Sequence, residues 1–351
     1  MIDFDIEALR TIGFNHSIHQ HLATQLAGLD LRSDDRLMRV IAVQREQLTI
    51  HDGHAQYLAR ALPKLHDGDL TVGDWVIAQL REHGEWWLTQ RLAPLSLISR
   101  RANDGRRQVL ASNIDTALLV MGLDDDFNPR RLERYIALVQ AAGIAPVVVL
   151  SKADIGHAVD ERISLLQHRL PSAISIHALN ALSPDVIDIL APSLQPGQTA
   201  CLLGASGTGK STLTNTLTCA HQNTGGVRKS DGRGMHTTTG RSLHFSRTGA
   251  CIIDTPGLRT WQPDADETTL AATFDDIDTL AAQCQFRDCR HQGEPGCAVI
   301  AHVDPDRLAN FHKLLRDVRR GEQTPLQRIA ERGKWKTMQK AASSRIKEKY
   351  R

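Results

Sequence analysis

The sequence lacks several features that would assign it to a membrane, to export or to a strongly charged partner. No apolar run approaches the roughly 20 residues that a helix needs to span a bilayer. The N-terminal stretch MIDFDIEALRTIGFNHS has no basic start followed by an apolar block, which is the pattern of an export signal. The 42 Lys and Arg residues nearly balance the 40 Asp and Glu residues, so no global charge for nucleic-acid binding is evident. These absences predict a cytoplasmic protein that does not associate with a membrane.

The length of 351 residues exceeds what one ordinary hydrophobic core supports, so two or three domains are expected. The charge is unevenly distributed, because residues 316–351 contain 12 Lys or Arg against 4 Asp or Glu. Such a basic tail could contact phosphate backbones, and a solvated helix with outward charges would have the same composition.

Residues 36–106 contain short β-like runs separated by turn residues, which predicts a small β-barrel. An oligonucleotide-binding (OB) barrel of five strands is one such fold, and an SH3-like barrel would have a similar pattern. The Arg-rich stretch at 99–107 is typical of a linker. Residues 1–35 form an N-terminal extension to which the sequence assigns no chemistry.

Residues 107–270 switch to apolar strands that alternate with helices. Strands are predicted at 116–123 and 145–150, and helices at 128–143 and from about 157 to 170. This alternation indicates a doubly wound, mostly parallel sheet that is covered by helices on both faces. Residues 271–351 read as a helical domain that carries a Cys/His segment and the basic tail.

A phosphate-binding loop is indicated by GASGTGKST, in which Gly204 to Ser211 fits G-x-x-x-x-G-K-[ST]. The motif has its expected context, with a strand before it and a helix after it. Glycines allow backbone N–H groups to surround a β-phosphate, and Lys210 supplies charge to the β- and γ-oxygens. Ser211 offers a hydroxyl to Mg²⁺, so the sequence predicts a nucleotide site.

The strand ACIIDTPG supplies a second phosphate-side motif. Asp254 at its end could reach Mg²⁺ through water, and the amide of Gly257 could sense the γ-phosphate. Thr238 in the Gly-rich segment before this strand is expected to complete the Mg²⁺ shell when γ-phosphate is present. Leu258 stands where many GTPases have a water-orienting glutamine, so hydrolysis is intrinsically slow or another group, such as His236, takes this role.

A guanine-binding loop is suggested by Ser151-Lys152-Ala153-Asp154 at the end of the strand APVVVL. Asp154 could accept hydrogen bonds from N1–H and the exocyclic amine of guanine, and adenine lacks both donors there. Lys152 would pack its stem along the ring, while Ser151 is shorter than the usual Asn. The loop precedes the phosphate loop by about 50 residues. Because ligand loops emerge from the carboxyl edge of a parallel sheet whatever their chain order, a circularly permuted GTPase domain is predicted.

Four residues in CQFRDCRHQGEPGC have the spacing C-x4-C-x-H-x5-C. Three thiolates and one imidazole suit a closed, tetrahedral structural zinc site, and a reducing compartment disfavours disulfides. The predicted ligands are Cys284, Cys289, His291 and Cys297. Cys201 and Cys251 lie in apolar strands and are expected in the core, and Cys219 has no evident partner.

These motifs, in this order after a barrel-like domain, resemble the RsgA (YjeQ) family of small-subunit-dependent GTPases. The likeness covers about residues 36–320 and implies GTP hydrolysis that is stimulated by the small ribosomal subunit, contact with its rRNA, and a role in its late maturation as an assembly checkpoint or release factor. It also implies one structural Zn²⁺, and Mg²⁺ with GTP. Departures from the family pattern are Ser151 in place of Asn, and His177-Ala178 where a Ser-Ala pair is common. The nucleotide contacts of the family fall here on Ser151, Lys152, Ala153, Asp154, Gly204, Ala205, Ser206, Gly207, Thr208, Gly209, Lys210, Ser211 and Thr212.

Two other functions are open on the residues alone. One is an ATP-dependent P-loop enzyme, which a preference for ATP over GTP would reveal. The other is an RNA-binding module with a vestigial nucleotide site, for which Leu258 is the supporting feature. For the GTPase reading, the protein is expected to be a monomer.

Overall fold

The computed structural model describes residues 5–44, 47–65, 70–101, 107–218, 241–254, 270 and 273–322. Within these ranges, none of the helices combines the length and the apolar character required to cross a membrane.

Two N-terminal helices cover one side of the barrel. They are α1 (Ile6–Thr11) and α2 (His16–Ala27), whose first turns are capped by the side chains of Asp5 and Asn15. The apolar faces of the extension pack against barrel residues in one buried cluster, so the segment to which no chemistry was assigned forms part of a hydrophobic core. Its fully or nearly buried members are Leu9, Ile12, Phe14, Ile18, Leu22, Leu37, Trp75, Ile77 and Leu92.

Five strands form a closed barrel, as the short β-like runs predicted. They hydrogen-bond in the order β1-β2-β3-β5-β4, and β4 pairs again with β1. Alternate residues such as Met38, Val40 and Leu88 point into the barrel and are buried. The strands are β1 (Asp35–Gln44), β2 (Gln47–His51), β3 (Gln56–Ala61), β4 (Trp75–Leu80) and β5 (Trp86–Arg91).

A hairpin follows the barrel, made of β6 (Leu97–Arg101) and β7 (Arg107–Ser112). The expectation of a linker at 99–107 is therefore wrong for 99–101 and 107, whereas 102–106 lie outside the described residues. The physical reason is that apolar residues flank the Arg-rich stretch, and Ile98 and Leu110 are buried in the core of the next domain.

The central sheet has the predicted, mostly parallel arrangement. Its order is β10-β9-β8-β11-β13-β12, in which the first five strands are parallel and β12 runs antiparallel to β13. All seven residues of β8 are buried, as expected of a strand that is covered on both faces. The strands are β8 (Thr116–Gly122), β9 (Ala145–Ser151), β10 (Ser175–Ala178), β11 (Thr199–Leu203), β12 (Arg241–Phe245) and β13 (Cys251–Asp254).

Helices lie on both faces of this sheet. The helices α3 (Pro129–Ala141) and α4 (Val159–Arg169) pack in one buried cluster, and α5 (Val186–Leu190) and α6 (Lys210–Leu217) pack in another. The predicted helices at 128–143 and 157–170 are thus confirmed with slightly later starts and earlier ends. The start of α3 is fixed by the Asn128 cap and by proline at its first position.

The barrel and the central sheet share one continuous hydrogen-bonded sheet. Strand β12 pairs antiparallel with β1, with Ala42 opposite Ser242 and Val43 opposite Arg241. The strand nearest to the barrel therefore has partners on both edges, and the two domains are joined by backbone hydrogen bonds.

A fully buried arginine crosses the same junction. The guanidinium of Arg39 on β1 lies 5.3 Å from the ring centre of Trp75 and donates four hydrogen bonds to different parts of the chain. Each acceptor belongs to a different segment: the N-terminal extension, the barrel, the residue after β7 and the start of β11. They are Ile12 O (2.5 Å), Gly73 O (3.3 Å), Asn113 O (3.1 Å) and Thr199 Oγ1 (2.8 Å).

The C-terminal domain contains α7 (Asp275–Ala281), α8 (Ala298–His302) and α9 (Pro305–Glu322). Its small apolar core includes Phe274 and Leu314, and it also takes in Ala137 of α3.

Charged groups fasten this domain to α3. The buried carboxylate of Glu133 accepts hydrogen bonds from Arg169 at 3.0 Å, from Arg307 at 2.6 Å and from Asn310 at 2.5 Å. Arg307 also donates to Asp276 in its own domain. Because each charged group around Glu133 has a hydrogen-bonded partner, the buried negative charge of Glu133 is compensated.

The Arg39 contacts generate a stability prediction. Arg39→Met should lower the free energy of unfolding by about 3 kcal/mol or more, because each buried acceptor left without a donor costs about 1–3 kcal/mol. Urea-induced unfolding followed by intrinsic fluorescence measures the change. Arg36→Met is the matched control on the same strand, since the Arg36 side chain is 57% exposed, and it should cost less than about 1 kcal/mol. Equal losses in the two variants would contradict the role given to Arg39.

Candidate functional site

The predicted ligand loops meet at the carboxyl edge of the central sheet. The phosphate loop follows β11, the guanine loop follows β9, and Asp254 ends β13. Because β9, β8, β11 and β13 are neighbours in that order, residues distant in the chain are brought to one rim.

The phosphate loop depends on its glycines. Gly207 and Gly209 have φ values of +84° and +88°, a region that side chains disfavour. A Cβ on Gly204 would lie 2.3 Å from the carbonyl oxygen of Val120, so only glycine fits beside β8. Helix α6 begins at Lys210, and its first N–H groups are therefore available to an anion.

The side chain of Lys210 folds back onto the phosphate loop. Its ammonium donates to Gly204 O at 3.0 Å and to Ala205 O at 2.8 Å, and the residue is only 7% exposed. Burial lowers the pKa of Lys210, and the charges of Asp254 and Asp126 act in the opposite direction. This geometry holds a positive charge against the backbone of the loop for which the motif predicts phosphate binding.

The guanine loop contacts the phosphate loop directly. The Oγ of buried Ser151 donates to Thr208 O at 2.6 Å, across 57 positions of the chain. The backbone N–H of Ala153 also donates to Leu179 O at 3.2 Å, just after β10. Although Ser151 is shorter than asparagine, it still connects the two loops.

A third connection ties the helix of the phosphate loop to the residues after β10. The hydroxyl of Thr216 on α6 donates to Ala181 O at 2.6 Å. The segment after β10 therefore lies beside the guanine loop and beside the helix that follows the phosphate loop.

Lys152 and Asp154 differ in their surroundings. Lys152 has a left-handed backbone with φ of +61°, and its ammonium donates to Asp124 Oδ2 at 2.6 Å. Asp154 is exposed, so its carboxylate is accessible to a base.

Asp124 was not predicted from the sequence. The signal that indicates it is a run of three aspartates, Asp124 to Asp126, directly after β8 at the ligand edge. Asp126 is part of the same edge, because it accepts a hydrogen bond from Arg131 at 2.6 Å and its charge acts on Lys210.

Asp254 lies where the second phosphate-side motif was expected. It is 4% exposed and pairs in register with Leu202, two residues before the phosphate loop begins. Its carboxylate and the Ser211 hydroxyl are oxygen donors of the kind that Mg²⁺ prefers, so these residues fit that ion. The other predicted phosphate-side residues, His236, Thr238 and Gly257, lie outside the described residues, as does Leu258.

The four predicted zinc ligands come together in the C-terminal domain. Their ligand atoms all lie within 4.8 Å of one another. The sulfurs of Cys284 and Cys297 are 3.8 Å apart, and Nδ1 of His291 lies 3.3 Å from the sulfur of Cys297. Two sulfurs bound tetrahedrally at about 2.3 Å would be about 3.8 Å apart, so the residues fit zinc. Cys289 completes the donor set.

The core cysteines are placed as the apolar strands indicated. Cys201 on β11 and Cys251 on β13 are fully buried, and burial raises the pKa of the Cys251 thiol to about 11. Such thiols are protonated at neutral pH and are poor metal ligands. Cys219 lies outside the described residues.

Known proteins resemble this chain in sequence. A family model described as RsgA GTPase matches residues 94–264. The small ribosomal subunit biogenesis GTPase RsgA of Xanthomonas euvesicatoria pv. vesicatoria (strain 85-10) is 40% identical over 307 residues, which cover 82% of this chain and 85% of that protein. The protein of the same name from Xanthomonas axonopodis pv. citri (strain 306) is 43% identical over 275 residues, covering 74% and 76%.

Solved structures resemble it in fold. The crystal structure of YjeQ from Thermotoga maritima has a TM-score of 0.61 and 22% identity, covering 81% of this chain and 98% of that one. YloQ, described as a circularly permuted GTPase, has a TM-score of 0.58 and 21% identity, covering 83% and 97%. In this chain the guanine loop precedes the phosphate loop, and this order agrees with a circularly permuted fold. Because the sequence identity to these relatives extends over most of its length, the chain belongs to the RsgA family of GTP hydrolases.

Proposed function

We propose that this protein hydrolyses GTP to GDP and phosphate under stimulation by the small ribosomal subunit, and that it acts late in the maturation of that particle as an assembly checkpoint or release factor. The observation that carries the nucleotide part is the hydrogen bond from Ser151 to Thr208, which joins a base loop to a phosphate loop. One guanosine nucleotide would bridge the two.

Guanine selection is assigned to Asp154. Its exposed carboxylate would accept hydrogen bonds from N1–H and the exocyclic amine of guanine, while ATP would leave the carboxylate unpaired. The stem of Lys152 would lie along the ring. This chemistry separates the proposal from the alternative of an ATP-dependent enzyme.

Phosphate binding is assigned to the loop from Gly204 to Thr212. Backbone N–H groups and the start of α6 would surround the β-phosphate, and Lys210 would move from the carbonyls of Gly204 and Ala205 onto the β- and γ-oxygens. Ser211, Asp254 and Thr238 would hold Mg²⁺, which would neutralise charge between the phosphates.

The water-positioning step is assigned to residues beyond the phosphate loop. Gly257 would contact the γ-phosphate, and His236 would orient the attacking water in place of the glutamine that Leu258 replaces. Slow turnover in isolation follows from this substitution, since leucine can neither donate nor accept a hydrogen bond. A vestigial site, the other alternative, would show no turnover at all.

The partner is proposed from the relatives and from the domain arrangement. Both Xanthomonas relatives are named for small ribosomal subunit biogenesis. The GTPase domain here is fastened to a barrel on one side and to a Cys/His domain on the other, two kinds of module that often contact RNA. We place the protein in the cytoplasm as a monomer, with rRNA as its contact and one Zn²⁺ as a structural ion.

Base selection can be tested by Asp154→Asn. The variant should bind GTP at least about 100-fold more weakly, because the carboxylate makes charge-assisted hydrogen bonds. It should instead gain affinity for xanthosine triphosphate, whose oxygen at position 2 can accept from the new amide. Competition against a labelled nucleotide measures both, with Asp160→Asn on the exposed side of α4 as the control. Unchanged GTP binding, or wild-type preference for ATP, would contradict the assignment.

Activation can be tested by measuring phosphate release. Wild-type turnover should be slow alone and should rise by at least about tenfold with small ribosomal subunits, whereas large subunits at equal concentration serve as the control. Lys210→Ala should lose the stimulated release, since no other described lysine lies in the phosphate loop. Equal turnover with and without small subunits would refute activation, and full activity of Lys210→Ala would refute the site.

The metal can be tested by elemental analysis of purified protein. Wild type should contain one zinc ion per chain, and Cys289→Ser should lose it because the closed site needs four ligands. Cys201→Ala, which changes a buried cysteine far from the cluster in sequence, should keep the ion. Retention of full zinc by Cys289→Ser would show that the ligand set is wrong.

A further inference from the structure

We propose that Asp124 is a positioning residue for guanine binding, which acts by holding the side chain of Lys152. The inference rests on the proposed function, because it concerns how the same loop receives the base. Asp124, which follows β8, would join the guanine loop after β9 and the phosphate loop after β11 at the site.

The position of Asp124 in the sheet makes this contact possible. It follows β8, which lies between β9 with the guanine loop and β11 with the phosphate loop. Its Oδ2 accepts from the Lys152 ammonium at 2.6 Å, and its Oδ1 accepts from the backbone N–H of Asp126 at 3.1 Å. Both carboxylate oxygens are thus engaged, which fixes the orientation of the group.

The backbone before Asp124 is shaped to leave room for this carboxylate. A Cβ on Gly122 would lie 2.4 Å from Asp124 Oδ1, so any other residue there would displace it. Arg162 on α4 donates to the carbonyl oxygen of Leu123 at 2.8 Å and holds the turn from the other side. The position of the carboxylate is therefore fixed by contacts with the surrounding backbone and side chains.

Lys152 is the residue of the guanine loop whose side chain most needs such a partner. Ser151 and Ala153 anchor the backbone of the loop through Thr208 and Leu179, but neither contact restrains the long side chain of Lys152. A lysine immobilised on binding loses rotamer freedom, and that loss weakens affinity. With its ammonium held before the ligand arrives, the stem already lies in place and less freedom is lost.

The charge state of Asp124 supports the pairing. Burial acts to raise the pKa of Asp124, but the hydrogen bonds from Lys152 and from the Asp126 amide outweigh it, and the pKa lies below its usual value. The side chains of Lys152 and Asp124 are 28% and 36% exposed, so the pair is partly shielded from water.

The neighbouring aspartates do not share this role. Asp125 is exposed, and Asp126 is paired with Arg131. Asp125→Asn therefore makes the same charge change one position away and provides a matched control.

The test is nucleotide binding by Asp124→Asn, measured by calorimetry with GDP and separately with pyrophosphate. We expect the Kd for GDP to rise roughly three- to tenfold, the range for one immobilised long side chain, while the Kd for pyrophosphate stays unchanged. Asp125→Asn should match wild type for both ligands. Unchanged GDP binding, or an equal loss of pyrophosphate binding, would overturn the inference, because the first shows no role and the second shows general damage to the site.

A double-mutant cycle separates action through Lys152 from any other effect. Lys152→Met keeps the apolar stem and removes the ammonium, so Asp124→Asn should cause no further loss of GDP affinity in that background. Additive losses would overturn the proposed route. If wild type itself fails to bind GDP, the proposed function fails, whereas wild-type binding with an unaffected Asp124→Asn variant rejects only this inference.

Discussion

A buried strand can satisfy its backbone only through neighbouring strands, and this constraint builds the nucleotide site. The strands β8, β9, β11 and β13 are apolar and covered on both faces, so their N–H and C=O groups must pair within one sheet. Parallel pairing then brings their carboxyl ends to one rim, where Asp124, Ser151, Gly204 and Asp254 follow or end successive strands. This requirement for pairing holds whatever the order of the strands along the chain. A guanine loop that precedes its phosphate loop is therefore compatible with an intact site, and the 2.6 Å contact of Ser151 with Thr208 is its direct consequence.

The domains on either side are attached by different physical means. The barrel is joined through the backbone pairing of β1 with β12 and through the four hydrogen bonds of Arg39, which leave little freedom at that junction. The C-terminal domain is joined to α3 through the buried carboxylate of Glu133 and through apolar contact with Ala137. At the edge of this junction Asp306, which is 47% exposed, pairs with Arg130 of α3. Exposed ion pairs are screened by salt, whereas a ladder of backbone hydrogen bonds is not. Salt should therefore weaken the exposed Asp306 pair, whereas the buried Glu133 pairs are screened much less.

Local signals predicted much of the fold and of the site. The phosphate-loop motif, the Cys/His cluster and the start of α3 near Pro129 each depend on residues a few positions apart, and local sequence indicated all three. The contacts that escaped prediction join distant residues: Lys152 meets Asp124 across 28 positions and Arg39 meets Thr199 across 160. A charged residue in a strand or a helix ordinarily indicates a solvated face, so the burial of Arg39 and Glu133 becomes evident only once their partners are assembled. The helices of residues 1–35 were missed for the same reason, since their apolar faces are explained by the barrel surface that they cover.

Helix α3 connects the nucleotide rim with the C-terminal domain. Its first residue, Pro129, lies three residues after Asp126, whose charge acts on Lys210 and whose carboxylate binds Arg131 in the first turn. Glu133, two residues further on, binds Arg307 of the C-terminal domain. The first turns of one capped helix thus bind Asp126 of the rim and Arg307 of the C-terminal domain. A single capped helix therefore lies between the nucleotide rim and the C-terminal domain, and this connection does not involve the strand that carries Asp254.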